Sequence, residues 1–260
     1  MASIAAVPSA LGVRCLSAPS EGMSLKGICP EAPEWISKED LAKLSHYIRS
    51  GWKGEFPYSR CTWDSHKLGL ALALLWHGRL DDKGIYVRIG DKWGILSFVD
   101  YTFPQHHYLV LTFKGKEWVI DATWKQFVDR WQWPIDMNSP YNKSLWHDCP
   151  DILIIPREDM EGFMEKLEKC AASFPEWIRN KEPPSFYAKK WKSGVECNEL
   201  FHVLFKTLAF PDPESFIKDI ILNIDIGWEE FRKSIGLPDK PLCSLVRSIL
   251  SPDTDDKKVS

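Results

Sequence analysis

The sequence predicts an α+β fold, on three observations. A Leu- and Ala-rich helix starts close behind Cys61, strand-like runs crowd between about residues 85 and 121, and most of the C-terminal half has helical spacing. From the N-terminus, residues 1 to about 30 are small, hydroxylated and poor in charge. Pro8 interrupts their apolar stretch and no positive region precedes it, so Sec export fits badly. An organelle transit peptide, the unfolded leader of a secreted effector and a disordered tail remain as readings. Ser37, followed by Glu39, Asp40 and LAKLSHYI, predicts an N-capped helix to about Ser50.

The turn-rich GWKGEFPYSR leads into Cys61, and residues 64–77 (DSHKLGLALALLWH) form a helix stopped at Gly78. That helix is apolar on most faces after Lys67, which predicts burial. Strands are expected at 85–90, 93–103, 106–113 and 117–121, with KGK as the hairpin connection between the last two. Beyond residue 130, WQWPIDMNSPYNKS reads as a loop, DILIIP as a short strand and REDMEGFMEKLEKCAASF as a helix. Further helices are expected at 197–209, 213–223 and 227–235, before a polar tail. The organisation is therefore a leader over 1–30, a core over 31–150, a helical C-terminal part over 151–250 packed on that core, and a tail over 251–260.

Composition narrows the function classes. With 260 residues, 44% of them hydrophobic, the chain can bury a sizeable core. A net charge of −3 carries no nucleic-acid tract and no polybasic membrane patch. No apolar run approaches the roughly 18 residues of a membrane span. The 7 cysteines are odd in number and none lie at C-x-x-C spacing, so a disulfide framework, a zinc ribbon and a thioredoxin-like motif are all unsupported. Reduced, buried thiols in a reducing compartment are the expectation. The 13 tryptophans belong mostly to the core, with a few available to line a groove.

One cysteine has a chemical context. Thiol nucleophiles act as thiolates, and a helix N-terminus or an adjacent imidazolium lowers their pKa. Cys61 stands where a polar turn meets a helix start; Cys170 lies inside a helical run, and Cys15 and Cys29 lie in the leader. A general base must be held rigidly and oriented by a third group. Residues 106–121, HHYLVLTFKGKEWVID, offer a His at the head of one strand and an Asp at the end of the next. If a two-residue loop closes on Phe113 and Lys116, Asp121 stands opposite Tyr108 and His106 is its diagonal neighbour on the same face. A three-residue loop would select His107 instead, and the hairpin alone leaves that choice open.

Cys at a helix start, His on a strand and Asp on the next strand resemble the transglutaminase-like branch of the papain-like superfamily. WVIDATWKQF, pivoting on Asp121, is similar to the aromatic-x-x-Asp-x-Thr ending of that family's hairpin. The interval of 15 between His106 and Asp121 is similar to that in bacterial transglutaminase-like proteins, glutamine-deamidating toxins and arylamine N-acetyltransferases, and it favours His106 over His107. PYSRC lacks the Arg-Gly-Gly run of the acetyltransferases. Thr62 separates Cys61 from Trp63, where animal-type transglutaminases carry Trp directly. The smaller bacterial-style branch is what remains. The resemblance covers about residues 55–130.

It implies a papain/transglutaminase-like core, a catalytic helix packed on an antiparallel sheet, with a mainly helical C-terminal extension. Cys61 would be the nucleophile, His106 the base and Asp121 its orienting partner, acting on glutamine side chains of a protein substrate without a cofactor or metal. A cysteine peptidase and a non-catalytic interaction module on the same fold are the alternatives. Cys61, His106, His107 and Asp121 lack ordinary zinc-ligand spacing. Trp124 is expected to pack, with Gln126 a further candidate for shaping the pocket; Trp131 and Trp133 are expected in the core or a groove wall. His66, on the first turn of the helix, is expected to be solvated.

Overall fold

The structure is a computed structural model, and it describes residues 27–52, 61–81, 84–102, 105–125, 149–172, 195–196, 227–240 and 244–245. The fold is α+β. Its strands are β1 (Arg79–Asp81), β2 (Gly84–Ile89), β3 (Lys92–Thr102), β4 (Gln105–Phe113), β5 (Lys116–Asp121), β6 (Leu153–Pro156) and β7 (Val195–Glu196). The helices are α1 (Lys38–Arg49), α2 (Cys61–Leu75), α3 (Met160–Ala172) and α4 (Trp228–Ser234), with a short 3₁₀ turn at Arg157–Asp159. Residues 1–26 of the leader expected over 1–30, the loop at 131–144, the helices at 197–209 and 213–223 and the tail lie outside the described residues; Cys29, within that expected leader, instead packs against Cys149. Of the predicted helical C-terminal part, the described residues hold β6, α3, β7 and α4.

Among the described residues all strand pairings are antiparallel, in the order β1-β2-β3-β4-β5-β6, and β7 joins β3 beyond the reach of β2 through Val99↔Glu196. The β4–β5 hairpin closes on Phe113↔Lys116. Its two-residue loop, Lys114–Gly115, has φ of 53° and 74°. Two positive φ values in succession match the right-handed twist of the flanking strands, and Gly115 adopts its value without steric cost. The connection is thus one residue shorter than the expected KGK, because Lys116 already pairs. The short β1 and β7 carry no clear alternation in the sequence and exist because a neighbouring strand offers them an edge.

Helix α1 begins as its sequence predicts. The Ser37 hydroxyl accepts the Asp40 backbone N–H at 3.0 Å, and Glu39 and Asp40 occupy the positive first turn. Its Leu44, Tyr47 and Ile48 face inward. Tyr47 stacks on Phe231 of α4 with ring centroids 4.5 Å apart. Near the N-terminus, Trp35 makes edge-to-face contacts with Trp76, Phe113 and Trp118. Trp52, Trp76, Trp124 and Trp228 are buried, whereas Trp93 is exposed, so most tryptophans among the described residues belong to the core.

Helix α2 is buried along nearly its whole length. Leu68, Ala71, Leu72 and Ala73 are at most 1% exposed, each leucine contributing on the order of 1.5–3 kcal/mol. The helix lies on the sheet against β2 and β4. Gly69 permits the close approach: a Cβ there would stand 3.0 Å from the Phe98 ring and 3.5 Å from Leu109. The helix starts at Cys61 itself, ahead of the expected 64–77 span, and Gly78 donates its N–H back to the Ala73 carbonyl just past the end. Among the described residues no helix is long and apolar enough to cross a membrane.

Candidate active site

Strand β4 outruns its partner. Pairing with β5 spans Phe113↔Lys116 to Leu109↔Ile120, so residues 105–108 extend past the last paired position. An uncovered strand edge leaves main-chain donors and acceptors in need of partners. The first turn of α2 takes that place. The Ser65 hydroxyl donates to the His107 carbonyl at 2.7 Å, and the His107 backbone N–H bonds the Cys61 sulfur. A local mismatch in strand length thus docks the start of the apolar helix at the head of the histidine-bearing strand.

Register then brings the other groups in. One step beyond Leu109↔Ile120, Asp121 falls against Tyr108, with His106 diagonal to it on the same face. His106 Nε2 lies 2.9 Å from Asp121 Oδ2, with the two side chains 3% and 0% exposed. The Cys61 thiol hydrogen-bonds the His106 ring. With Nε2 committed to the carboxylate, Nδ1 is the ring nitrogen left for the sulfur. The structure therefore brings Cys61, His106 and Asp121 into one chain of contacts. His107 contributes its main chain, while its ring turns toward His66, 6.5 Å away between centroids.

Asp121 is held from both sides. Its Oδ1 accepts the Thr123 N–H at 2.7 Å and the Thr123 hydroxyl at 3.2 Å. The carboxylate thus closes the turn after β5 with one oxygen and orients the imidazole with the other. Capping the turn and orienting the ring therefore do not compete for Asp121. Trp124 packs: it is buried against Phe163 and donates to the Pro150 carbonyl at 3.0 Å. Gln126, Trp131 and Trp133 lie outside the described residues.

The electrostatics of the three groups are coupled. Burial pulls the His106 pKa down, but the Asp121 charge and hydrogen bond, aided by the Cys61 sulfur, raise it to about 9. Burial pushes the Cys61 thiol up; the hydrogen bond and positive charge of His106, with the His107 N–H, overcome this and leave it below its ordinary value. Opposite shifts in two touching groups favour the thiolate–imidazolium form over the neutral pair. Cys61 is also the first residue of α2, where the positive end of the helix dipole favours an anion.

His66 overturns the expectation that it is solvated. It is buried, sits edge-on to Phe98 at 5.2 Å, and its pKa falls to about 3 because burial and the neighbouring His107 both disfavour its charged form. The reason is tertiary. The whole segment from Asp64 to Leu68 is covered: His66 meets Phe98 of the sheet, while Asp64 and Lys67 are covered by Trp52, Ser50 and Tyr47 at the end of α1. Two contacts went unread in the sequence: the Ser65–His107 clamp, and the buried Asp64, which accepts the Trp52 indole N–H at 2.8 Å and ties Trp52, just past α1, to α2. Serine and aspartate in a first helical turn ordinarily read as solvated dipole partners, so neither carried a distinguishing signal. Among the described residues no group of three His, Cys, Asp or Glu side chains is arranged to hold a metal ion.

Comparison with known protein families, with curated proteins and with solved structures finds no match to this chain.

Proposed function

We propose that this protein is a thiol acyl-transfer enzyme of papain/transglutaminase-like type, acting on glutamine side chains of a protein substrate, most simply by deamidation. One observation carries the reading: a buried Asp121–His106 pair whose ring also engages a sulfur at a helix N-terminus, with the His106 pKa raised and the Cys61 pKa lowered. A purely structural histidine–aspartate pair would not need a thiol beside it whose pKa it lowers.

The steps follow from these groups. The Cys61 thiolate attacks the carboxamide carbon, and the carbonyl oxygen becomes an oxyanion near the α2 start, where first-turn N–H groups point out of the helix. The His106 imidazolium gives its proton to the departing nitrogen, releasing ammonia and leaving a thioester on Cys61. Neutral His106 then takes a proton from water as that water attacks the thioester. Collapse returns the thiolate and a glutamate side chain, and His106 again holds the proton. A primary amine in place of water yields a cross-link by the same route. Asp121 holds the ring throughout and stabilises its charged form.

The test is incubation of the full chain with an unfolded, glutamine-rich protein, with and without a primary amine, followed by mass spectrometry and an ammonia assay. Ammonia release with a gain of about one mass unit per modified glutamine, absent in Cys61→Ala, is the expected result. Cleaved fragments would assign the site to peptide hydrolysis and overturn the glutamine reading. No Cys61-dependent change in the substrate would overturn the enzymatic one.

A further inference from the structure

A second pair of sulfurs lies apart from the proposed triad. Cys29 Sγ and Cys149 Sγ are 2.8 Å apart, although 120 residues separate them in the chain. That separation is within about 1 Å of a disulfide bond, whose length is about 2.05 Å. Cys29 is half-buried, whereas Cys149 is buried. The sequence offers no hint of the pairing, since neither residue belongs to a spaced motif.

The surroundings of Cys149 are built rather than loose. The Lys125 ammonium donates to the Cys149 carbonyl at 3.1 Å and to Asp151 Oδ1 at 2.7 Å. Trp124 donates to the carbonyl of Pro150. Two residues after Asp151 the chain enters β6, where Leu153 pairs with Asp121. Cys149 is therefore anchored to the segment that follows the orienting carboxylate. Cys61, His106 and Asp121 all lie between positions 29 and 149, so a bond between these two cysteines would close a covalent loop around every residue of the site.

We propose that Cys29 and Cys149 form a reversible disulfide clip, a thiol–disulfide exchange site that reacts with low-molecular-weight disulfides. Cys29, the more accessible thiol, attacks one sulfur of the small disulfide, expels one thiolate and becomes a mixed disulfide. Cys149 then attacks the Cys29 sulfur and expels the second thiolate. The two protein thiols lose two electrons and two protons, and the small disulfide is reduced to two thiols. The oxidised clip stabilises the fold because it restricts the unfolded chain over a long loop. Cys61, engaged with His106, takes no part.

The experiment equilibrates the full chain in buffers of graded oxidised-to-reduced glutathione ratio, quenches it with acid, and maps disulfides by non-reducing digestion and mass spectrometry. The expected product is a Cys29–Cys149 linked peptide, reversed by reductant. Its appearance should track a rise in Tm on the order of 5–10 °C that is missing in Cys29→Ser and in Cys149→Ser. Cys61 alkylation by iodoacetamide should stay within about twofold of the reduced protein. A mixed disulfide that persists on Cys29, a linkage recruiting Cys61 or another cysteine, or a linked protein with unchanged Tm would each overturn the proposal. This outcome is independent of whether the Cys61 site has acyl-transfer activity.

Discussion

The Oδ2 of Asp121 lies 2.9 Å from Nε2 of His106, and neither side chain meets solvent to any useful extent. A buried imidazole would ordinarily stay neutral. Here the Asp121 charge and hydrogen bond outweigh burial and raise the His106 pKa to about 9, which favours the charged ring, and Thr123 holds that carboxylate through its N–H and hydroxyl. Everything proposed for Cys61 depends on that charge.

The pH dependence of Cys61 follows from its signs. Its lowered pKa extends thiolate reactivity below the ordinary thiol range, and the His106 pKa of about 9 sets where the imidazolium is lost. Iodoacetamide labelling of Cys61, followed site by site, should persist in mildly acidic buffer where other cysteines no longer react. Glutamine turnover should fall again as pH rises through about 9. Labelling of Cys61 that tracks the remaining cysteines across the whole pH range would contradict the ion pair.

The same pair has a stability signature once the sulfur is removed. A group whose folded pKa is raised contributes stability that is complete below its ordinary value of 6.5 and is lost as pH climbs through its folded value of about 9. In Cys61→Ala the His106–Asp121 pair remains without the sulfur that helps raise it. The urea midpoint of this variant should decline from about pH 6.5 upward and level off before or near pH 9. A midpoint that rises over that interval would reverse the assignment.

Substitutions at Asp121 separate charge from shape. Asp121→Asn keeps the size and one acceptor for Thr123, so the fold should survive while Cys61 labelling at pH 6 drops by at least tenfold. Asp121→Ala also strands the buried imidazole and the Thr123 N–H. It should destabilise by about 3–5 kcal/mol, read from urea denaturation. Equal labelling in the Asn variant and the parent would show that the carboxylate does not control the thiol.

Ser65 provides a positioning test. Its hydroxyl holds the His107 carbonyl at 2.7 Å and so docks α2 on the overhanging end of β4. Ser65→Ala should cost about 1–2 kcal/mol and slow Cys61 labelling severalfold at pH 6, with less effect above pH 9, where even an ordinary thiol ionises. Ser65→Thr should restore part of the low-pH reactivity. A loss of stability with an unchanged pH profile would mean that the clamp is purely structural.

Gly69 reports on the helix–sheet contact. Alanine is better than glycine in a helix interior by about 1 kcal/mol. Here, however, its methyl group would stand 3.0 Å from the Phe98 ring, and both side chains sit inside the core. Overpacking costs typically 1–3 kcal/mol, so Gly69→Ala should lower stability by about 1 kcal/mol, seen as a lower urea midpoint at unchanged slope. A stabilised variant would show that Phe98 has room to move.

By themselves, the residues were enough to place the helices α1 to α4, the four long strands and β6. Each is written locally, in a capping serine, a Leu/Ala run that ends before glycine, β-branched and aromatic stretches, and a Lys-Gly turn. They also put a His at the head of one strand and an Asp at the end of the next, which narrowed the partner of Asp121 to His106 or His107. Tertiary structure decided the rest. The preference for His106 over His107 beside the carboxylate came from the loop closing on Phe113 and Lys116. The burial of His66 and Asp64 and the docking of Cys61 at the head of β4 came from where an almost uniformly apolar helix settled on the sheet and against the end of α1. Such a helix carries little directional information about which side faces the strands. Cys29 and Cys149 met for the same kind of reason: a contact across 120 residues leaves no local pattern.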